Sequence, residues 1–167
     1  MCRCARLALI ILIPITLYSQ NSLVDSLKNE LFYANDSTKA TLLSDICWNY
    51  RGIDIDSSIF YGRESINFSR QKNFPKELAT AYNNTAVAWW TKGNYDSAKH
   101  YLIQARLQFR ANRFPKGEYV ILVNLGLINQ NLGLLQESVE NLFASLSLQD
   151  SLGESSYKGA TLNNLGN

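Results

Sequence analysis

The chain repeats itself at a constant offset of 40 residues, and no other feature limits so tightly what it can fold into. Phe74-Pro75-Lys76 returns as Phe114-Pro115-Lys116. Asp56-Ser57 and Tyr61 return as Asp96-Ser97 and Tyr101. Asn84 returns as Asn124 and as Asn164, Arg70 as Arg110, Gly93 as Gly133, and Gly126 as Gly166. A fixed period in the range of about 20–50 residues marks supersecondary units that cannot bury an apolar face alone and stack on their neighbours to do so.

Each unit reads as two helices. In the second unit Pro75 suits a first helical turn, where its missing N–H costs nothing. Leu78, Ala81, Tyr82, Thr85, Ala86 and Trp89 then fall on one 3.6-residue stripe. Gly93 suits the left-handed position that ends a helix. Asn94 is a good N-cap for the next helix, which carries Tyr95, Ala98, Leu102, Ala105 and Phe109 on one face. Asp54 stands in the cap position of the first unit and Leu134 in that of the third, where a polar cap is missing. Small residues recur where two helices must approach closely: Ala86 and Gly126 on first helices, Ser58, Ser65, Ala98 and Ala105 on second helices.

The phrases NNTAVAWWTKGNYDSAKHYLIQA and NLGLINQNLGLLQESVENLFASL resemble the tetratricopeptide repeat (TPR). The signature positions of that family fall on Tyr82, Thr85-Ala86, Trp89, Gly93-Asn94-Tyr95, Ala98, Leu102 and Ala105 in the second unit. In the third they fall on Leu122, Leu125-Gly126, Asn129, Gly133, Ser138, Leu142 and Ser145. The family's basic unit is about 34 residues, so the longer period here resembles its extended variants. The first unit is the most divergent, with Gly62 at a core position and GIDID as its turn. The resemblance implies an all-α, right-handed superhelical solenoid of antiparallel helix pairs. The expected divisions are a signal peptide at 1–19, a lead or capping helix at 20–40, repeats at 41–80, 81–120 and 121–160, and the start of a fourth repeat at 161–167. TLNNLGN, which is spelled like a turn, aligns with the middle of earlier first helices and is expected to be helical, with Gly166 at a close-packing point. The chain therefore reads as a fragment of a longer protein.

At the N-terminus, Arg3 and Arg6 precede an apolar run from Leu7 to Leu17, followed by Ser19 and Gln20. This is the order of a secretory signal, and the run is shorter than the roughly 20 residues of a membrane span. Cleavage after Ser19 is the leading reading; a buried helix or an uncleaved anchor are the alternatives. Removing residues 1–19 takes two Arg and no acid, leaving 14 basic residues against 14 acidic ones. A neutral chain offers no overall field for nucleic acid. Cys2 and Cys4 leave with the leader, and Cys47 alone cannot form an internal disulfide. The expected location is the periplasm, or the membrane facing it. The layout also resembles the exported N-terminal region of bacterial signalling proteins, such as TPR-containing histidine kinases of two-component systems or transcriptional regulators.

Residues with catalytic or metal-binding potential are sparse. His100 has no second ligand at metal spacing and reads as a surface residue beside Tyr101. Cys47 reads as a small buried hydrophobe. Asp54 and Asp56 read as helix-capping residues in preference to a calcium loop. No phosphate loop or nucleophile motif is present in the sequence, and the three Asn-x-Ser/Thr triplets match glycosylation by spelling alone. Neither an enzymatic activity nor a cofactor or metal is expected.

The resemblance places a ligand groove on the inner face, lined by first helices. The positions are Leu43, Ser44, Cys47, Tyr50 and Arg51 in unit one; Asn83, Asn84, Val87, Trp90 and Thr91 in unit two; and Val123, Asn124, Leu127, Gln130 and Asn131 in unit three. Asn84 and Asn124 match an Asn that peptide-binding members carry, since an amide both donates to and accepts from a peptide backbone. The same amides also suit bonds between neighbouring helices, and both readings stand at this point. Trp90 is expected in the groove and Trp89 in the core, being about 100° apart on a helix. Arg51 is the one basic lining residue, too few for a carboxylate clamp. The expected partner is a protein or peptide, with self-association as the alternative.

Overall fold

The computed structural model describes residues 22–154 and 157–166, so the proposed leader at 1–19 lies outside the described residues. The described residues form helices and turns without strands. α1 covers residues 22–33. Three helix pairs follow: α2 (Asp36–Tyr50) with α3 (Ile55–Gln71), α4 (Pro75–Thr91) with α5 (Tyr95–Ala111), and α6 (Pro115–Asn131) with α7 (Leu135–Ser151). α8 (Lys158–Gly166) comes last. A frame drawn on the helix pairs thus starts at Asp36, Pro75 and Pro115, a few residues ahead of one drawn on the sequence phase. No described helix is long and apolar enough to cross a membrane.

The start and stop signals are copied from unit to unit. Pro75 and Pro115 occupy the first turns of α4 and α6. Asn35, Asp54 and Asn94 cap α2, α3 and α5 by accepting backbone N–H bonds from Thr38, Asp56 and Ser97. Leu134 makes no such bond at the start of α7. Within pairs two and three the turn closes as a Schellman motif. Gly93 N–H bonds Trp90 O and Asn94 N–H bonds Trp89 O; Gly133 and Leu134 repeat this on Gln130 and Asn129. Gly93 and Gly133 have φ of 81° and 74°. The first pair has Ile53 in that place, a β-branched residue that resists positive φ. Its turn closes with Ile53 and Asp54 both donating to Tyr50 O.

Packing sets the curvature. Each first helix packs on its own second helix, and each second helix packs on the next first helix. First helices of neighbouring pairs also touch, α2 with α4 and α4 with α6, whereas second helices of neighbouring pairs diverge. The stack therefore bends with first helices on the inside. Ala86, Ala98, Ala105, Ser58, Ser65 and Ser145 are all buried at the helix crossings. At two of the places where Ser replaces Ala on a second helix the hydroxyl finds a carbonyl on the facing first helix, Ser58 bonding Cys47 O at 2.6 Å and Ser145 bonding Tyr119 O at 2.9 Å, whereas the buried Ser138 hydroxyl finds no partner. Gly126 is required by space, since a Cβ there would lie 2.7 Å from Leu142 Cγ.

α1 closes the first end. Val24 is buried, and Lys28 donates to Tyr50 Oη while lying over the stacked rings of Tyr50 and Tyr61. That hydrogen bond raises the Lys28 pKa above its ordinary value. At the other end α8 confirms that Asn163-Asn164-Leu165-Gly166 is helical. A Cβ on Gly166 would meet nothing within 4 Å. In the earlier pairs a second helix fills that space, as Leu142 does at Gly126. The α7–α8 contact is polar: buried Gln149, standing where α5 has Phe109, donates to Thr161 Oγ1 at 3.1 Å.

Candidate functional site

The inner face is carried by α2, α4 and α6, and its residues divide into two groups. Val87, Trp90, Val123 and Leu127 are half-buried, and helical phase puts them in an apolar strip on the inner face of α4 and α6. Thr91 and Asn131 are exposed at the C-terminal ends of those helices. Thr91 Oγ1 and Asn131 Nδ2 each donate to a carbonyl one turn back on their own helix, Val87 O at 3.0 Å and Leu127 O at 2.8 Å.

The second group is a ladder of amides that ties the first helices together. Asn124 Nδ2 donates to Asn83 Oδ1 at 3.0 Å. Asn83 Nδ2 donates to Asn84 Oδ1 at 3.3 Å. Asn84 Nδ2 donates to Ser44 Oγ at 3.1 Å and to Ser44 O at 3.2 Å. The ladder thus runs from α6 through α4 to α2. Gln130 extends the same logic forward, its Nε2 bonding Asn164 O of α8 at 2.9 Å. Of the two readings open for Asn84 and Asn124, this geometry favours bonds between helices. The unforeseen member is Asn83, which joins two rungs that the period alone would leave separate.

The first pair departs from the expected lining. Leu43, Ser44 and Cys47 are buried and present little surface on the inner face. Asn84 bonds Ser44, and Leu43 lines a separate cleft of about 360 Å³ with Leu31 of α1 and Phe60, Tyr61 and Phe68 of α3. Cys47 Sγ lies 3.8 Å from Ser58 Oγ, and burial pushes its thiol up to about 11. Tyr50 is half-buried with its ring engaged by Tyr61 and Lys28. Arg51 is half-buried with its guanidinium 3.6 Å from the Trp48 ring centre, and burial lowers its pKa. The partly exposed apolar surface of the inner face is therefore centred on α4 and α6.

Both tryptophans of α4 are half-buried and pack against the same core, so burial alone does not separate them. Trp89 meets Lys92 and Arg63, at 5.6 Å and 5.8 Å from the ring centre. Asp54 accepts from Asp56 N–H at 3.1 Å and from Ser57 Oγ at 2.6 Å, and the Ser57 bond lowers its pKa. Asp56 pairs with Lys92 at 2.6 Å. These contacts account for both acids as cap and ion pair. His100 is exposed, edge-on to Tyr101.

No family model matches the chain, and no curated protein matches it. Solved structures do. The chain is similar to BtubC (BKLC) from P. vanneervenii, with a TM-score of 0.78 and 16% identity over 89% of this chain and 64% of that one. It is also similar to a Signal Transduction ATPase with Numerous Domains (STAND) protein with a tetratricopeptide repeat sensor from Pyrococcus horikoshii. There the TM-score is 0.79 and the identity 15%, over 93% of this chain and 24% of the other. The chain spans less than two thirds of the first of these proteins and about a quarter of the second. Helix pairs in series, first helices inside, and these neighbours together give an all-α solenoid of tetratricopeptide-like fold.

Proposed function

We propose that this chain is a non-enzymatic module that binds a protein or peptide on its inner face. The observation that carries the reading is the half-buried strip of Val87, Trp90, Val123 and Leu127, which leaves apolar side chains partly uncovered on a curved surface. Such a face takes an extended segment or a partner helix through its apolar side chains. Trp90 is the anchor, because a large rigid ring contributes contact area at low entropic cost. With the amides bonded between helices, they hold the spacing of α4 and α6, and recognition is mainly apolar.

The module belongs to the extracytoplasmic part of a longer signalling protein, where it senses or scaffolds. The signal-like N-terminus supports export, and the STAND neighbour's TPR sensor supports a sensing role for such a fold. The test is selection of peptides from a displayed random library on the immobilised chain. Enrichment of apolar peptides that lose roughly 10-fold or more in affinity with Trp90→Ala, the size of a hot-spot residue, supports the reading. No enrichment, together with a concentration-dependent dimer in light scattering, overturns it in favour of self-association. Export is tested by fusing the chain to alkaline phosphatase in a bacterial host; an inactive fusion overturns that part.

A further inference from the structure

The sequence period also identifies an unusual place on the outer face. α3 and α5 diverge and leave a cleft of about 500 Å³ between them. Its lining includes Arg63 and Arg70 from α3, Tyr82 from α4, and His100, Tyr101 and Gln104 from α5. No carboxylate lines it. Among the described residues neither Arg63 nor Arg70 forms an ion pair, whereas Lys72, Lys92, Lys99, Arg106, Lys116 and Lys158 each do. Arg70 Nη2 donates to Tyr82 Oη at 2.6 Å. Tyr82 is buried, and accepting that bond leaves its hydroxyl proton to serve another acceptor.

Stepping the same positions by one period tests whether this is a general property of the stack. One unit on, Arg63 becomes Ile103, Tyr82 becomes Leu122, His100 becomes Glu140 and Tyr101 becomes Asn141. One unit back, Tyr82 becomes Leu42, His100 becomes Phe60 and Gln104 becomes Glu64. Among the described residues at these equivalent positions, only the α3–α5 cleft combines two guanidinium groups, a buried hydroxyl and a side-chain amide with no acid.

We propose that this cleft is a carboxylate-binding site that takes an acidic segment of a protein partner. Guanidinium forks match carboxylate geometry and give charge-assisted bonds, and the Tyr82 hydroxyl and Gln104 amide add neutral donors. The rings of Tyr82 and Tyr101, 6.3 Å apart, supply an apolar wall for the stems of Asp or Glu side chains. A long polyanion such as nucleic acid is disfavoured, because α7 alongside carries Glu137, Glu140 and Asp150 and no basic residue. The site lies on the opposite side of the helix pairs from the inner strip, so it stands or falls independently of the function proposed above.

The test is fluorescence anisotropy with a labelled hexaglutamate peptide, and with hexalysine as the charge-reversed probe. Hexaglutamate is expected to bind and hexalysine not to bind. Replacing Arg63 and Arg70 by Gln should weaken hexaglutamate about 10-fold or more, and Tyr82→Phe should weaken it severalfold. Replacing Arg110 and Arg113 by Gln, which removes the same charge elsewhere, should change it less than about twofold, as should Trp90→Ala. Circular dichroism confirms that each variant retains its helices. Equal losses in the two double variants, or no binding of hexaglutamate, overturn the proposal. Displacement of the peptide by equimolar inorganic phosphate also overturns it, since the site then takes a small oxyanion in preference to an acidic segment.

Discussion

Asn84 reaches back one full period to Ser44, donating its side-chain amide to the carbonyl oxygen at 3.2 Å and to the hydroxyl at 3.1 Å. Its own carbonyl accepts from Asn83, whose carbonyl accepts from Asn124 on the next first helix. A repeat stack is held by the interfaces between neighbours, so a polar ladder crossing two of them fixes both spacing and register. Asn84→Ala removes three of these bonds and leaves the buried Ser44 hydroxyl without that partner. It should destabilise the chain by about 1–3 kcal/mol, measured by urea unfolding. Asn84→Ala and Asn124→Ala should also be non-additive, because both act through Asn83. Additive losses would mean that the ladder does not act as a unit.

Gly126 and Gly159 make opposite predictions. A Cβ on Gly126 would lie 2.7 Å from Leu142 Cγ and 2.8 Å from Cδ2, and Leu142 is fully buried with nowhere to move. Gly126→Ala should destabilise by about 1–3 kcal/mol from overpacking, in spite of the better helix former. Gly159 in α8 has nothing within 4 Å, so Gly159→Ala should stabilise by up to about 1 kcal/mol through helix propensity alone. Thermal unfolding of the two variants checks both signs.

The turns between pairs hold left-handed backbone at the same phase: Asn73 at φ 57°, Arg113 at φ 59° and Gly153 at φ 67°. Asn tolerates this conformation, Gly adopts it freely, and Arg is strained by it. Arg113→Gly should therefore raise the melting temperature, with a net gain of about 0.5–1 kcal/mol after the unfolded chain's added freedom is counted. A lower melting temperature would show that the Arg113 side chain contributes more than its backbone costs.

Cys47 is fully buried, and burial raises its thiol from the ordinary 9.0 to about 11. The unfolded thiol ionises first as pH rises. Its contribution is complete below pH 9 and is lost between about 9 and 11. The shift corresponds to roughly 2–3 kcal/mol. Cys47→Ala should remove that part of the alkaline loss, seen as a flatter stability profile between these pH values. The native chain should also react slowly with a thiol reagent at pH 8 and rapidly in denaturant; equal rates would place the thiol at the surface.

Much of this architecture is written in the sequence because the signals are copied. Pro75 and Pro115, Gly93 and Gly133, and the caps Asp54 and Asn94 mark helix ends at one phase, and each works locally. The buried small residues follow from the same phase, since Ala86, Ala98 and Ala105 need only their own helix pair. The first pair is less legible. Leu43, Ser44 and Cys47 share the phase of groove positions, but α1 and the Asn84 amide cover that end of the stack. The phase places Asn83 on α4 without saying that its amide joins its neighbours into a ladder. Arg113 carries no spelling that marks positive φ. The cleft of Arg63, Arg70 and Tyr82 draws on three helices, so no single amphipathic stripe reveals it.

The central claim is that ligands engage the inner strip of α4 and α6. Amide hydrogen exchange of the chain, alone and with a saturating library-selected peptide, tests it directly. The account predicts added protection within Asn83–Thr91 and Val123–Asn131, with α3 and α7 unchanged. Protection confined to α3, α5 and α7, with Asn83–Thr91 unchanged, would contradict it.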